Sequence, residues 1–286
     1  MNMNIILGAT GQIGSMLVDN LLKKDQPVRA VIRNVSKAQE LKNKGAEVII
    51  ADYFDVEALK KAFHGGGSVF LLTPENPACE SCLKEIQMII NNYREAILSS
   101  EVTKIIGLSS MGAQHESGTG NLMASYMLEH AFSDLEIEQI FVRPAYYFSN
   151  WLGYLELVKE YGILPTFFPL EMELPMIAPP DVAKFLSDAM ICKTPQERIY
   201  EIMGPHAYSS SDIAKIFGDV LNRNVTLQQV LPEEWENTLI QAGFSKDGAN
   251  NLILMTKAVI DGKTKNDTAN QIRFTTDFKT YLKNII

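Results

Sequence analysis

The stretch NIILGATGQIGSMLVDNLLKKDQPVRAVIRN, residues 4–34, decides the fold of this chain. It opens with a short apolar run (4–7), passes through a glycine-rich turn (8–14) and an amphipathic segment, and closes with a second apolar run (28–33). Short apolar runs predict buried strands, and apolar residues at helical spacing predict a helix between them. The order strand, helix, strand is typical of a βαβ unit with parallel strands.

The same alternation continues through the first half of the chain. Further strands are expected over 46–51, 68–72, 104–110 and 137–144, and the intervening helices over 14–24, 36–43, 56–63, 83–99 and 122–132. Strands that alternate with helices in this way predict an α/β protein of the Rossmann type, with a doubly wound parallel sheet.

The glycine-rich turn, GATGQIG at 8–14, joins the first predicted strand to the first predicted helix. In that context glycines permit a tight turn, let a pyrophosphate approach the backbone and let the helix pack closely on the strand, while free N–H groups at the helix start face the anion. The spacing is GxxGxxG instead of GxGxxG. We interpret the turn as a dinucleotide site, with a ligand-free glycine turn as the alternative.

The second strand ends in Arg33, where enzymes that bind NAD carry Asp or Glu. A carboxylate would repel the 2′-phosphate of NADP, whereas a guanidinium binds it through charge-assisted hydrogen bonds. Lys37, one turn into the next helix, adds a second positive charge. The sequence therefore predicts NADP(H) as the cofactor, unless Arg33 is only a solvated strand end.

The pattern changes near residue 146, where aromatic residues and prolines cluster as in a pocket wall. One more strand is expected over 197–204, returning to the main sheet, and helices over 211–221, 233–242 and 247–261. We therefore expect an NAD(P)-binding Rossmann domain over 1–145 and a smaller, mostly helical, substrate-binding part over 146–286.

The composition disfavours nucleic acids and membranes as binding partners. The 286 residues carry a formal charge of -8, which disfavours binding to nucleic acid, and no apolar run approaches the ~18 residues of a membrane span. The N-terminal residues lack the pattern of an export signal, and three cysteines suit a reducing cytoplasm. Cys79 and Cys82 form a CxxC, which we interpret as two partly buried thiols instead of a redox pair or half a metal site.

Ligands of such a sheet lie outside the carboxyl ends of the strands. Asp52 closes the third strand, where it can receive the adenine amino group, and residues 72–74 (Leu-Thr-Pro) close the fourth strand beside the adenine ribose. Ser109 and Ser110 end the fifth strand, and both are expected to face the nicotinamide half of the crevice.

On these residues the chain resembles the NmrA-like branch of the atypical short-chain dehydrogenase/reductases, and within it the NADPH-dependent quinone reductases. The matching pieces follow one another over about residues 1–205: GATGQIG (8–14), VIRNVSKAQEL (31–41), ADYFDVEALKKAF (51–63), LSS (108–110), MLEHAFSDLEIEQIFVRPAYYFSNW (127–151) and APPDVAKF (178–185). Chains of this kind are often called nucleoside-diphosphate-sugar epimerases, because the epimerases share the fold. Pattern and resemblance together imply a cofactor site made of Gly8, Thr10, Gly11, Gln12, Ile13, Gly14, Arg33, Asp52, Leu72, Thr73, Pro74, Ser109, Pro144, Ala145 and Tyr146.

One family feature is missing. Short-chain dehydrogenases and sugar epimerases use a Tyr-x-x-x-Lys pair in the helix after the fifth strand, with the tyrosine as general acid/base. Aligning Glu129 with the glutamate that the family carries further along that helix puts Asn121 and Ser125 at the two positions. Tyr126 and His130 resemble the pair at a glance, and we interpret them as ordinary helix residues.

Quinone reduction does not require a general acid from the protein, because a quinone accepts hydride directly and its oxyanion can be protonated from water. Tyr147, Asn150 and Trp151 are expected to form a flat apolar pocket for such an acceptor, with Asn150 orienting its carbonyl. The catalytic residues stay unassigned, with Ser110 and Asn150 as candidates and no metal expected.

The sequence thus favours a cytoplasmic NADP(H)-binding oxidoreductase that reduces a quinone-like or small carbonyl acceptor. Two alternatives stay open. One is a non-catalytic redox sensor that binds NADP(H) and a protein partner, as NmrA-like regulators do, and the other is a sugar-nucleotide epimerase that works without the tyrosine and lysine. The oligomeric state stays open as well, and a homo-oligomer is compatible with the sequence.

Overall fold

The computed structural model describes residues 2–193 and 197–286. The strands found there are, in chain order, β1 (Met3–Leu7), β2 (Val28–Ile32), β3 (Glu47–Ile50), β4 (Gly66–Leu72), β5 (Lys104–Leu108), β6 (Glu138–Pro144), β7 (Tyr146–Tyr147), β8 (Ile163–Thr166), β9 (Leu174–Ile177), β10 (Ile199–Met203), β11 (Ala207–Tyr208), β12 (Thr226–Gln229) and β13 (Gln271–Arg273).

The α-helices of the same residues are α1 (Gln12–Leu22), α2 (Ala38–Asn43), α3 (Val56–Phe63), α4 (Cys82–Leu98), α5 (Leu122–His130), α6 (Ser149–Leu152), α7 (Leu155–Tyr161), α8 (Pro179–Ile191), α9 (Ser210–Leu221), α10 (Trp235–Gln241), α11 (Lys246–Ile260) and α12 (Phe278–Lys283). Within the part of the chain that is described, none of them has both the length and the apolar composition needed to cross a lipid bilayer.

Eight strands form one sheet in the order β13-β10-β6-β5-β4-β1-β2-β3, and every neighbouring pair runs parallel. The chain builds outward from β1 to β3 on one side and from β4 to β6 on the other, so the winding reverses between β1 and β4. This topology confirms the predicted doubly wound Rossmann-type sheet. In such sheets ligands bind in the crevice outside the carboxyl ends of the strands at this reversal, here those of β1 and β4.

The sheet is covered on both faces because successive side chains of a strand point to opposite sides. Ile6 and Phe70 belong to the apolar core on the side of α1 and α8, and their neighbours Ile5 and Val69 belong to the core on the side of α3 and α4. All four side chains are buried. Burial of each such side chain stabilises the fold by about 1.5–3 kcal/mol.

The second half of the chain both extends this sheet and builds a smaller unit beside it. The strand expected over 197–204 is confirmed as β10, which pairs with β6, and β13 adds a further edge strand that the sequence did not predict. Two small sheets, β11-β9-β7 and β12-β8, were also not predicted. They surround a third apolar core that includes Phe148, Phe217 and Phe278. The division of the chain at residue 145 stays a prediction.

A buried ion cluster ties the returning strand to the first half of the chain. Arg143 of β6 holds the carboxylate of Glu129 of α5 with two hydrogen bonds, from Nε (2.8 Å) and Nη2 (2.7 Å). Its third nitrogen contacts Asp267 at 2.9 Å and Glu201 of β10 at 3.8 Å. The side chains of Arg143 and Glu129 are only 4% and 1% exposed, so neither charge is compensated by water.

Replacement of Arg143 by Met tests the importance of this cluster. Because Glu129 and Glu201 would lose the guanidinium that pairs with their buried charges, we expect the free energy of unfolding to fall by about 3–5 kcal/mol, measured by urea denaturation. Lys184→Met is the matched control, since it removes an exposed i,i+4 pair with Asp188 and is expected to cost about 0.5 kcal/mol. Equal losses in the two variants would show that the cluster does not anchor the fold.

Candidate functional site

The glycine-rich turn brings β1 and α1 into direct backbone contact. Gly8 has φ of +61°, a conformation that favours glycine, and its carbonyl oxygen accepts a hydrogen bond from the Gly11 N–H at 2.9 Å. A Cβ atom added at Gly14 would lie 2.2 Å from that same oxygen. Only a glycine at position 14 therefore lets the helix lie this close to the strand.

Helix α1 begins at the crevice without a capping side chain. Its N-cap residue is Gly11, and no side chain accepts a hydrogen bond from the N–H groups of the first turn. Thr10, Gly11 and Gln12 are exposed at the tip of the turn, whereas Ile13 is buried beneath it. Free N–H groups and the helix dipole make this end of an eleven-residue helix an anion-binding position.

Arg33 is held beside this turn by an aromatic ring. Its guanidinium carbon lies 5.2 Å from the ring centre of Tyr53, a cation–π contact that orients an otherwise exposed side chain. Tyr53 is buried, and its hydroxyl lies against Gly8, because a Cβ added at Gly8 would lie 3.3 Å from it. Burial raises the pKa of this hydroxyl, and the Arg33 charge opposes the rise. Tyr53 was not among the predicted site residues.

The other predicted adenosine-side residues lie around the same end of the sheet. Asp52 is exposed, and its carboxylate accepts a hydrogen bond from the Phe54 N–H at 2.9 Å, so it stabilises the turn after β3. Leu72 at the end of β4 packs towards Gly8, because a Cβ added at Gly8 would lie 3.0 Å from its side chain. Thr73 and Pro74 follow it and are partly buried.

The two serines after β5 point in different directions. Contrary to expectation, the hydroxyl of Ser109 does not face the crevice, because it donates a hydrogen bond to the buried carboxylate of Glu129. Ser110 instead contacts α5, where its hydroxyl donates to Ser125 at 3.0 Å. Ser109 thus belongs to the ion cluster. Ser125 occupies the position at which related enzymes carry lysine, so the Ser110 hydroxyl lies beside that position.

Tyr126 and His130 form a local contact within α5. Their rings stack with centres 4.0 Å apart, and the His130 Nδ1 lies 2.8 Å from the Tyr126 carbonyl oxygen. His130 is exposed, whereas Ser125 on the other side of the helix is buried against Ser110. This geometry agrees with their interpretation as ordinary helix residues.

The segment after β6 contacts the glycine-rich turn. The backbone N–H of Ala145 donates to β10, and the carbonyl of Pro144 accepts from Met111, so both peptides are fixed by neighbouring strands and loops. Further along, the Ser149 hydroxyl donates to the Gln12 side chain at 3.1 Å. The loop that carries the predicted acceptor residues is therefore attached to the tip of the turn.

The predicted pocket residues have different surroundings. Tyr146 packs edge-on against Trp151, with ring centres 6.2 Å apart, and against Phe168, with ring centres 5.7 Å apart. Burial raises the pKa of its hydroxyl, and the neighbouring Asn150 side chain opposes the rise. Trp151 is 2% exposed, so it supports the pocket from inside and does not offer a surface to an acceptor. Asn150 is exposed, and Tyr147 is partly buried with a hydroxyl that has no hydrogen-bond partner.

Glu75 is a further residue at this site that the sequence reasoning missed. It is exposed and follows Thr73 and Pro74 directly. Burial raises the pKa of the Tyr147 hydroxyl, and the Glu75 charge adds to the rise. The position of Glu75 three residues after the end of β4 was the available signal. An acidic residue in a surface loop, however, is ordinarily a solvated one.

The CxxC lies at the start of α4. Cys79 and Cys82 are free thiols, and the pKa of each is raised, that of Cys82 to about 12, chiefly by burial and also by the Asp247 carboxylate. A high pKa keeps the reactive thiolate form scarce. Across the described residues no group of three or more His, Cys, Asp or Glu side chains is arranged to hold a metal ion.

With this geometry in place, the sequence model of the NmrA-like family matches residues 3–275. The chain belongs to the NmrA-like family. This NmrA-like protein is 24% identical to the NAD(P)H azoreductase of Xenophilus azovorans over 87% of its own length and 84% of that protein, and 23% identical to quinone oxidoreductase 2 of Escherichia coli over 84% and 82%. The structure of Citrobacter sp. triphenylmethane reductase complexed with NADP(H) has the same fold, with a TM-score of 0.84, 24% identity and coverage of 99% of this chain and 100% of that one.

The contact between Gly14 and Gly8 allows a direct test of how strongly close packing constrains the glycine-rich turn. Gly14→Ala would force helix α1 away from β1, and we expect a loss of about 3 kcal/mol in the free energy of unfolding, measured by urea denaturation. Gly153→Ala is the control, because its Cβ would make only an ordinary 3.5 Å contact with the Asn150 carbonyl. If the two alanine variants were equally stable, the close helix-to-strand contact would not constrain the turn.

Proposed function

We propose that this NmrA-like protein is an NADP(H)-dependent reductase of small, flat acceptors such as quinones. The observation that carries the proposal is the pairing of an uncapped helix N-terminus at the glycine turn with Arg33 fixed on Tyr53 beside it. The first arrangement suits a pyrophosphate and the second a 2′-phosphate.

The residues present fit this cofactor. Gly14 lets the start of helix α1 lie against the Gly8 carbonyl, so the backbone N–H groups of the first helical turn are available to phosphates. Gly11, Gln12 and Ile13 would hold the pyrophosphate, Arg33 the 2′-phosphate, and residues 72–74 the adenosine ribose. When bound, the nicotinamide supplies the hydride of the reaction.

The reaction consumes one acceptor, one NADPH and one proton, and it yields the two-electron-reduced acceptor and NADP+. The chain carries Asn121 and Ser125 where related enzymes carry tyrosine and lysine, so a substrate that needs a strong general acid is disfavoured. A quinone or an azo compound accepts hydride without one, and its anion takes a proton from water. The side chain of Tyr146 and the exposed amide of Asn150 would flank such an acceptor.

The relatives support this class of acceptor. The relatives are named an azoreductase, a quinone oxidoreductase and a triphenylmethane reductase, and azo compounds, quinones and triphenylmethane dyes are all conjugated molecules. Sugar-nucleotide epimerisation is disfavoured because it needs the tyrosine and lysine that this chain lacks. A non-catalytic NADP(H) sensor would use the same cofactor cradle, and it differs from a reductase in whether bound NADPH is consumed.

Arg33→Asp tests the choice of cofactor. The substitution removes charge-assisted hydrogen bonds to the 2′-phosphate and adds repulsion, so we expect NADPH to bind about 100-fold more weakly while NADH affinity changes little. Fluorescence titration of both cofactors measures this, with the exposed Arg273→Asp as the control for net charge. The proposal would be wrong if NADPH bound the wild-type protein no more tightly than NADH does.

A screen of acceptors tests the reaction. We expect NADPH consumption with quinones and azo compounds and much slower consumption with simple aldehydes, because the latter need the missing general acid. The measurement is the loss of NADPH absorbance, run beside a titration of NADPH affinity. Tight NADPH binding without consumption by any acceptor would instead identify a sensor.

A further inference from the structure

Helix α11, in the second half of the chain, contacts two loops that begin at the carboxyl ends of strands of the main sheet. The β4 loop (residues 73–81) follows β4, and the β5 loop (109–121) follows β5 and carries Ser109 and Ser110. Strands β4 and β5 are neighbours, so the two loops lie side by side at the end of the sheet where ligands bind. The reaction proposed above gives α11 no role.

The start of α11 is bonded to the β4 loop. The backbone N–H of Ser245, the N-cap residue of α11, donates to the Pro77 carbonyl at 2.9 Å, and the Ser245 hydroxyl donates to the Cys79 carbonyl. A Cβ atom added at Gly248, in the first turn of α11, would lie 2.4 Å from the same Pro77 oxygen. Only a glycine at position 248 therefore lets the helix lie this close to the β4 loop.

Asp247 joins the start of α11 to the start of α4. Its carboxylate accepts a hydrogen bond from the N–H of Cys82, the first residue of α4, at 2.8 Å. Ser81, the N-cap residue of α4, makes no capping hydrogen bond with its own side chain, so a carboxylate of another helix caps α4. Asp247 also lies in the first turn of α11, and its charge therefore interacts favourably with the dipoles of both helices.

The middle of α11 holds the end of the β5 loop. The carbonyl of Asn251 accepts a hydrogen bond from the Asn121 N–H at 3.3 Å, and a Cβ added at Gly120 would lie 1.9 Å from that carbonyl oxygen. Gly120 has φ of +56°, which also favours glycine. The Asn251 side chain donates to the Asp247 carboxylate at 3.1 Å. The residue that caps α4 is thus bonded to the residue that holds the β5 loop.

The chain just after α11 contacts the β5 loop a second time. The Gln114 side chain donates to the carbonyls of Lys263 and Lys265, at 3.3 Å and 3.1 Å. The Nε2 atom of His115 lies 2.9 Å from the Lys263 carbonyl oxygen. The β5 loop is therefore fixed in its middle as well as at its end.

We propose that α11 positions the β4 and β5 loops relative to each other and so sets the geometry of the acceptor side of the site, with Asp247 as a positioning residue. This inference rests on the proposed function. Reacting atoms must lie about 3–3.5 Å apart, and a displacement of about 1 Å can lower a rate about 100-fold. The glycine turn and Arg33 take part in none of these contacts, so α11 is expected to affect the acceptor reaction more than phosphate binding.

The first test removes the carboxylate that the two helix starts share. Asp247→Ala is compared with Asp277→Ala, which removes the N-cap carboxylate of α12 instead. With a quinone, at a temperature at which circular dichroism shows every variant to be folded, we expect Asp247→Ala to lower kcat/KM about 10-fold. Asp277→Ala should stay within about 2-fold of the wild type. Asp247→Asn, which keeps an oxygen for the Cys82 N–H, should recover most of the loss.

The second test adds a methyl group between α11 and the β4 loop. Gly248→Ala places a Cβ against the Pro77 carbonyl, and its control, Gly218→Ala, places one 3.0 Å from the Arg223 carbonyl after α9. Hydrogen exchange measured by mass spectrometry reports on the loops without any acceptor. We expect both loops to exchange about 10-fold faster in the two α11 variants and at the wild-type rate in the controls. Binding of 2′-phospho-ADP-ribose should weaken by no more than about 3-fold, because the glycine turn and Arg33 supply its phosphate contacts.

Wild-type exchange of both loops in the α11 variants would overturn the inference, whether or not the protein reduces quinones. Faster exchange with unchanged kcat/KM, or an equal fall of kcat/KM in the controls, would overturn the positioning role of Asp247. Absence of NADPH consumption by the wild type with every acceptor would overturn the proposed function, and the exchange rates would still decide whether α11 holds the two loops.

Discussion

The contact between Gly14 of α1 and the carbonyl of Gly8 after β1 is the constraint on which the rest of the site depends. With no side chain between them, the start of the helix lies over the carboxyl end of the strand, at the position where the sheet reverses its winding. The free N–H groups of the helix therefore face the crevice. The hydroxyl of Tyr53 lies against this same turn, and its ring holds Arg33 beside it, so the two parts of the proposed phosphate site are adjacent.

A second constraint is the burial of charged side chains within the sheet. The ion cluster of Arg143, Glu129 and Glu201 buries charges that are costly to desolvate, and it does so where the strand from the second half of the chain joins the first. It also turns the hydroxyl of Ser109 away from the crevice. Ser110 and Asn150 are the catalytic candidates on the proposed acceptor side, and neither is a strong acid. Such a site suits hydride transfer better than proton-transfer chemistry.

The sequence predicts the central features well, because they depend on local patterns. The parallel strands follow from short apolar runs, the glycine turn from its spacing, and β10 from an apolar run within the second half. The unpredicted parts depend on long-range contacts. Strand β13 is three residues long and forms only because β10 offers it an edge, and the direction of Ser109 is set by a glutamate twenty residues away. Tyr53 and Glu75 follow recognisable strand ends, but their roles depend on what faces them.

Trp151 was predicted to line the pocket, and the structure buries it instead. An aromatic residue after the sixth strand suits a pocket wall, and the sequence alone does not distinguish a ring that lines a pocket from one that fills the core beneath it. The structure assigns Trp151 to the core and leaves Asn150, one residue earlier, at the surface. Neighbouring residues on a short helix thus have different surroundings, and only the fold shows which of them is buried and which is exposed.

The central claim is that the glycine turn and Arg33 together recognise the phosphates of NADP(H). A crystal structure of the protein with NADP+ tests this most directly. The account predicts the pyrophosphate on the N–H groups of Gly11 to Ile13 and the 2′-phosphate against the Arg33 guanidinium. A 2′-phosphate in solvent away from Arg33, or a dinucleotide bound elsewhere on the sheet, would contradict it.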